Sequence, residues 1–287
     1  MIKKKTILII FLVLNVFSWS IVWELSKENN LKVCFLDIGQ GDSFFIEPSP
    51  GHQILIDGGP DNTLSQKLEE RMPFWDKTID LIVLTHTDKD HLFGFLNVLK
   101  NYKVKNVLWT GIHVKSSIFK EWQEAIRQEG AKIWIAKKGF KIVLPKNRYF
   151  SVLYPFQSLE GREIKIANQT SIVMMLNTES EKILFTGDIP KKVEDWLIKD
   201  DSSLKADVLK IAHHGSKTSS SEEFLEAVDP RLAIISVAKD NPYGHPSPEV
   251  LSRLDQFGIK ILQTSNQKDI CLIQKKNGPF LFLSPTQ

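Results

Sequence analysis

The stretch Thr85-His86-Thr87-Asp88-Lys89-Asp90-His91 constrains this chain most, because it follows directly on the apolar run Leu81-Ile82-Val83-Leu84. Two imidazoles and two carboxylates are packed into it, at the end of what reads as a buried strand. A metal ion needs donors that converge on one point, and a tight loop held by a rigid strand can aim them there. So short a loop cannot wrap one ion with all four groups. Alternate residues face alternate sides, so His86 and Asp88 are expected at one ion, with Asp90 and His91 at a neighbour. The plain alternative is a polar loop capping the next helix, with Asp90 as N-cap and Asp88 against the helix dipole. For an isolated Asp-x-Asp-His that alternative would be preferred. Asp57, Asp188, His213, His214 and His245, each at the end of a strand-like run or in a turn, favour the metal instead.

The rest of the composition is permissive. An apolar content of 42% and a charged content of 25% over 287 residues describe an ordinary globular chain with room for a large core. A net charge of +3 allows an anionic polymer as partner without demanding one. Cys34 and Cys271 sit in apolar strand-like runs and are read as small core residues, with a disulfide the alternative if the domain is exported. No Cys-rich zinc pattern exists, so the donors are oxygen and imidazole, a set that suits Zn, Mn or Fe.

Three lysines, Lys3 to Lys5, precede an uncharged run from Thr6 to Trp23. That run is long enough for a membrane span, for which about 20 residues are typical. No small-x-small cleavage site follows it, and Trp19 and Trp23 suit an interface. Residues 1–24 are therefore expected to form a retained signal-anchor and 25–30 a linker. Residues 31–287 are then a single-pass protein's extracytoplasmic domain.

Within that domain the pattern alternates. Strands are expected at 31–37, 43–47, 53–57, 81–85, 104–109, 132–136, 141–144 and 149–154. More follow at 171–176, 182–185, 207–212, 232–237, 260–263, 270–274 and 280–283. Helices are expected at 63–70, from His91 to Leu99, at 116–128, 190–198, 221–228 and 248–257. Two halves, each with strands and then alternating strands and helices, suggest two sheets face to face with helices outside.

Seven segments, in this order along the chain, carry a resemblance. They are Leu36-Asp37-Ile38-Gly39-Gln40-Gly41-Asp42, Leu55-Ile56-Asp57-Gly58-Gly59, Thr85 to His91, Asn168-Gln169-Thr170-Ser171-Ile172-Val173, Phe185-Thr186-Gly187-Asp188, Lys210-Ile211-Ala212-His213-His214-Gly215-Ser216 and Asn241-Pro242-Tyr243-Gly244-His245-Pro246. Together they resemble the metallo-β-lactamase superfamily, and most closely the hydrolase domain of competence-type DNA-uptake channel proteins.

The resemblance implies an α/β fold, a four-layer αββα sandwich with the site at one edge. It implies two divalent ions, with His86 and Asp88 at the first, Asp90 and His91 at the second, and Asp188 bridging. His245 is the expected late histidine ligand, with His214 its rival. Asp57 supports the ligand loop by hydrogen bonding. Asp88 stands where the superfamily usually has a second histidine, although the DNA-uptake branch commonly has Asp there, and Asn168 stands near a usual third. Fewer nitrogen donors favour Mn over Zn.

The expected chemistry is phosphodiester hydrolysis by a metal-activated water, with single-stranded DNA as substrate. Asp90 or Asp188 would orient the nucleophile. His213 or His214 would protonate the leaving oxygen or hold a phosphate, beside Gly215, Ser216 and Lys217. The turn from Asp37 to Asp42 would border the metals, although a plain tight turn explains its glycines nearly as well. Any channel would be a separate chain. A lactonase or β-lactamase of the same fold is the second reading, and a degenerate DNA-binding or assembly module the third. His52 and His113 read as surface, and Trp109, Trp122, Trp134 and Trp196 as core.

Overall fold

A computed structural model describes residues 4–26, 30–164, 166–200, 203–275 and 278–283. Among these, an eight-stranded sheet runs in the order Phe280–Leu283, Ile270–Gln274, Leu31–Phe35, Phe44–Glu47, Ile54–Ile56, Leu81–Val83, Asn106–Trp109, Lys132–Ile135. A seven-stranded sheet runs Lys260–Gln263, Leu232–Ile235, Val208–Lys210, Lys182–Phe185, Val173–Asn177, Arg148–Tyr154, Lys141–Leu144. Each sheet mixes antiparallel hairpins with parallel crossovers, as the alternating helices require.

The two-residue period of the strands sorts their side chains into layers. Leu31, Val33 and Phe35 of the first sheet meet Met174, Leu176, Ile183 and Phe185 of the second in a shared core. The rings of Phe35 and Phe185 stack there with centroids 5.8 Å apart. The opposite faces bury helices. Leu64, Leu68, Phe95, Phe119 and Trp122 cover the first sheet, and Val193, Leu197, Phe224, Val250 and Leu254 the second. The arrangement is therefore αββα.

Three details differ from the sequence expectation. The last two strands do not extend the second half; Ile270–Gln274 returns to pair with Leu31–Phe35. That register sets Cys34 opposite Cys271, and the two form a disulfide rather than separate core thiols. The ligand loop's helix begins at Lys89 with Asp88 as N-cap, yet the Asp88 side chain makes no capping hydrogen bond and is left for other work.

The N-terminal helix, Lys4–Ser26, leaves Leu8, Phe11, Leu12, Phe17 and Trp19 exposed. Among the described residues, no helix is long and apolar enough to cross a membrane. Side chains of this helix are described from Lys4 to Ser20. Of the expected linker, residues 25–26 belong to this helix and 27–29 lie outside the described residues, while Trp23 lies outside the described side chains.

Candidate metal centre

Parallel strands in both sheets end at the same edge, and their terminal loops build the site. Leu81–Val83 delivers His86 and the start of the helix Lys89–Asn101, which carries Asp90 and His91. Lys182–Phe185 delivers Asp188, and Val208–Lys210 delivers His213 and His214.

One carboxylate oxygen lies at the centre. Asp188 Oδ2 is 3.4 Å from His91 Nε2, 3.5 Å from His214 Nε2, and 4.0 Å from both His86 Nε2 and His213 Nε2. Asp90 Oδ2 is 3.5 Å from His214 Nε2 and 3.9 Å from His91 Nε2. Asp88 Oδ2 is 3.7 Å from His86 Nε2. Donor atoms of His86, His91 and Asp188 form one convergent group, and those of Asp90, His91 and His214 another.

The surrounding hydrogen bonds leave the inner nitrogens as lone pairs. Ser236 O accepts from His214 Nδ1 at 2.9 Å. Asp57 Oδ2 accepts from His91 Nδ1 at 2.8 Å. Thr85 gives its hydroxyl hydrogen to Asp57 at 2.6 Å, so its oxygen is the acceptor for His86 Nδ1 at 3.0 Å. With each Nδ1 protonated, each Nε2 is free to ligate, as in carboxylate–histidine–metal triads. The Nε2 atoms of His86, His91 and His214 are indeed buried without a hydrogen-bond partner. Buried orphan atoms are costly, and bound divalent ions would satisfy them. The donor set therefore fits divalent metal.

Electrostatics point the same way. Burial alone would depress the imidazole of His91, but Asp188 and Asp57 outweigh it and hold its pKa well above the ordinary value. His214 is likewise raised against burial by Asp188 and Asp90. His86 is pushed well below its usual range by burial and by His91. Burial opposes ionisation of Asp188 and Asp90, yet neighbouring His214 and His91 keep both carboxyls below the usual range. The centre thus holds anions together with exchangeable protons on imidazoles, which a cation can displace.

Two groups that the sequence reading did not single out complete it. Asp42, fully buried, ion-pairs with Lys210 Nζ and sits 3.6 Å from His214 Nδ1. Lys210, also fully buried, donates to Gly187 O at 3.0 Å and lies 3.4 Å from Asp188 Oδ1. It thereby occupies one oxygen of Asp188 and leaves Oδ2 to the imidazoles. Gly41 makes this possible: a Cβ there would lie 2.3 Å from Asp90 O. His213 and His214 both adopt left-handed backbone (φ 52° and 53°), strained for residues with a Cβ. That turn swings two consecutive histidines toward the site.

The other expected residues are placed unevenly. Asp57 lies under the loop as anticipated, also accepting from Thr85 N at 2.8 Å. The Asn168 amide approaches His213 Nε2 at 3.4 Å. Ser216 bonds Thr218 rather than the centre, and Lys217 faces a polar cleft with Lys191 and Arg253. The Asp37 backbone N–H donates to Asp269; Asp42, at the other end of that turn, is the one that reaches the histidines. His245 belongs to no convergent group among the described residues, and its ring meets that of His213 edge-on with centroids 5.9 Å apart. The late histidine among the converging donors is His214, the rival in the sequence reading.

Comparison with known proteins agrees with this architecture. A family model described as the metallo-beta-lactamase superfamily matches residues 36–239. ComE operon protein 3 of Bacillus subtilis is 34% identical over 263 residues, covering 86% of this chain and 33% of that protein. Competence protein ComA of Neisseria gonorrhoeae is 31% identical over 246 residues, covering 84% of this chain and 32% of that protein. The chain spans about a third of the length of these curated relatives. The solved metallo-beta-lactamase fold protein YhfI of Bacillus subtilis superposes with a TM-score of 0.57 at 11% identity, over 86% of this chain and 100% of that one, a likeness of fold. With most of its length under that family model and its layers following the same plan, the chain belongs to the metallo-β-lactamase superfamily.

Proposed function

We propose that this chain is a metal-dependent phosphodiesterase acting on DNA. The observation that carries the reading is the convergence of three orphaned Nε2 atoms on Asp188 Oδ2. An imidazole Nε2 has one lone pair and serves one ion. Asp90, His91 and His214 would hold one ion and His86 with Asp88 the other, and Asp188 Oδ2 lies within 4.0 Å of the histidines of both sets. The oxygen-rich second set favours Mn over Zn. When bound, such ions supply Lewis acidity toward a phosphoryl oxygen and lower the pKa of a water.

The chain's own groups do the rest. Lys210 fixes the orientation of the Asp188 carboxylate. Asp57 and Ser236 O fix the tautomers of His91 and His214. His213 is half-exposed, and burial lowers its pKa. Its Nε2 can receive or return a proton at the solvent side of the centre. The name of one curated relative, Competence protein ComA, supports DNA as the substrate class.

The proposed setting is the outer face of a membrane, tethered by the N-terminal helix. Its exposed apolar side chains support the tether. The Cys34–Cys271 disulfide supports an oxidising compartment. The test is hydrolysis of single-stranded DNA by the full chain with Mn or Zn, beside Asp188→Ala. Cleavage that disappears in the variant is expected. Hydrolysis of a lactam or lactone without action on DNA, or metal binding with no hydrolysis, contradicts the assignment.

A further inference from the structure

We propose that the loop 241–246 carries a stacking platform for an unpaired nucleobase, placed to hold single-stranded DNA across the metal centre. The proposal rests on the phosphodiesterase reading and extends it to how substrate is seated. Tyr243 is 68% exposed. Its ring stacks on that of His245, with centroids 5.8 Å apart and planes 21° from parallel. His245 meets His213 edge-on at 5.9 Å, and His213 meets His214 edge-on at 6.2 Å. A continuous path of rings thus runs from solvent to a converging donor of the centre. Among the described residues Tyr243 contacts no other ring, so its outer face is open.

The loop is built to hold this pose. The Asn241 side chain accepts from Tyr243 N at 3.2 Å and His245 N at 3.0 Å. It also donates to Ala238 O at 3.0 Å and His245 O at 2.7 Å. Ser247 N donates to Gly215 O at 2.9 Å, which locks the loop to the histidine turn. Gly215 lies so close to Pro246 that a Cβ would come within 2.6 Å of the Pro246 Cβ. Moreover, His245 Nδ1 is buried without a hydrogen-bond partner, a polar atom for which the protein supplies no mate.

An exposed aromatic face on a rigid loop costs little entropy to use and accepts any base. A base in a duplex has its faces covered, so the platform discriminates for unpaired strands. Loss of one such stack corresponds to a change of about tenfold or more in affinity.

The experiment compares the full chain with Tyr243→Ala and Tyr243→Phe, all with Mn. Substrates are single-stranded oligonucleotides, either intact or with one abasic sugar moved along the strand. For the wild type, KM is expected to rise about tenfold when the abasic site falls at one position beside the cut. Tyr243→Ala is expected to show that higher KM on intact DNA, with no further penalty from the abasic site, and Tyr243→Phe to restore the wild-type pattern. The change is read in KM against kcat, and the exposed position leaves folding intact. Wild-type and Tyr243→Ala proteins with equal KM and equal abasic penalties overturn the platform while leaving the phosphodiesterase standing. A wild type that cleaves no DNA removes both.

Discussion

Replacing Lys210 with methionine removes a fully buried lysine at the centre. Lys210 Nζ pairs with Asp42 and stands 3.4 Å from Asp188 Oδ1. At an effective dielectric of about 20, a single unit-charge contact at that distance is about 5 kcal/mol. Removing one partner of a buried pair strands the other charges, at a cost of about 3–5 kcal/mol. For a chain of this size that lowers Tm by about 5–8 °C in the metal-free protein. The loss should be conditional. A dication at Asp188 restores positive charge where Lys210 was lost, so saturating Mn should recover more Tm in Lys210→Met than in the wild type.

Lys210→Met combined with Asp42→Asn removes both ends of the pair and should be milder than the sum of the single variants. Differential scanning calorimetry with and without Mn, on all four proteins, measures this. A Lys210→Met cost below about 1 kcal/mol, or an equal Mn shift in wild type and variant, would refute the charge-balance argument.

Three further outcomes follow from the same geometry. Asp57→Asn, which disturbs the bonds to Thr85 and to His91 Nδ1, should weaken metal binding by about 10–100-fold, read by isothermal titration calorimetry. Metal affinity should rise with pH: His91 and His214 have raised pKa values, so below them each bound proton competes, giving up to about tenfold per pH unit for each proton displaced. Above those values the dependence flattens, His86 adds nothing because it is already neutral, and a pH-independent affinity contradicts the picture. Reduction of Cys34–Cys271, which closes a separation of 237 residues, should destabilise the domain by about 2–5 kcal/mol, seen as a lower urea midpoint under dithiothreitol.

What the sequence disclosed, and what it hid, follows from the range of the interactions. His86, Asp88, Asp90 and His91 were legible because one strand end places them by local geometry, and Asp188 because it closes an apolar run. The layers were legible because alternate side chains of Val173–Asn177 fall in different cores. Asp42 was not singled out. Its Gly39-Gln40-Gly41-Asp42 segment reads as a turn, and only its passage under the Asp90 carbonyl gives it a partner. Lys210 left a signal that went unused: a lone lysine inside the apolar run 207–212 must be buried and paired. The choice between His214 and His245 rests on two left-handed residues in succession, which residue types without glycine do not announce. The disulfide depended on a pairing between the first strand of the domain and one near its end, which local pattern cannot register.

The most direct test is the metal content of the purified full chain, by elemental analysis after loading with Mn or Zn and removal of free ion. The account predicts about two equivalents per chain in the wild type, the expectation for a two-metal hydrolase, and a fall below one in Asp188→Ala. A wild type that retains no divalent ion, or an Asp188→Ala protein that retains the full complement, contradicts it.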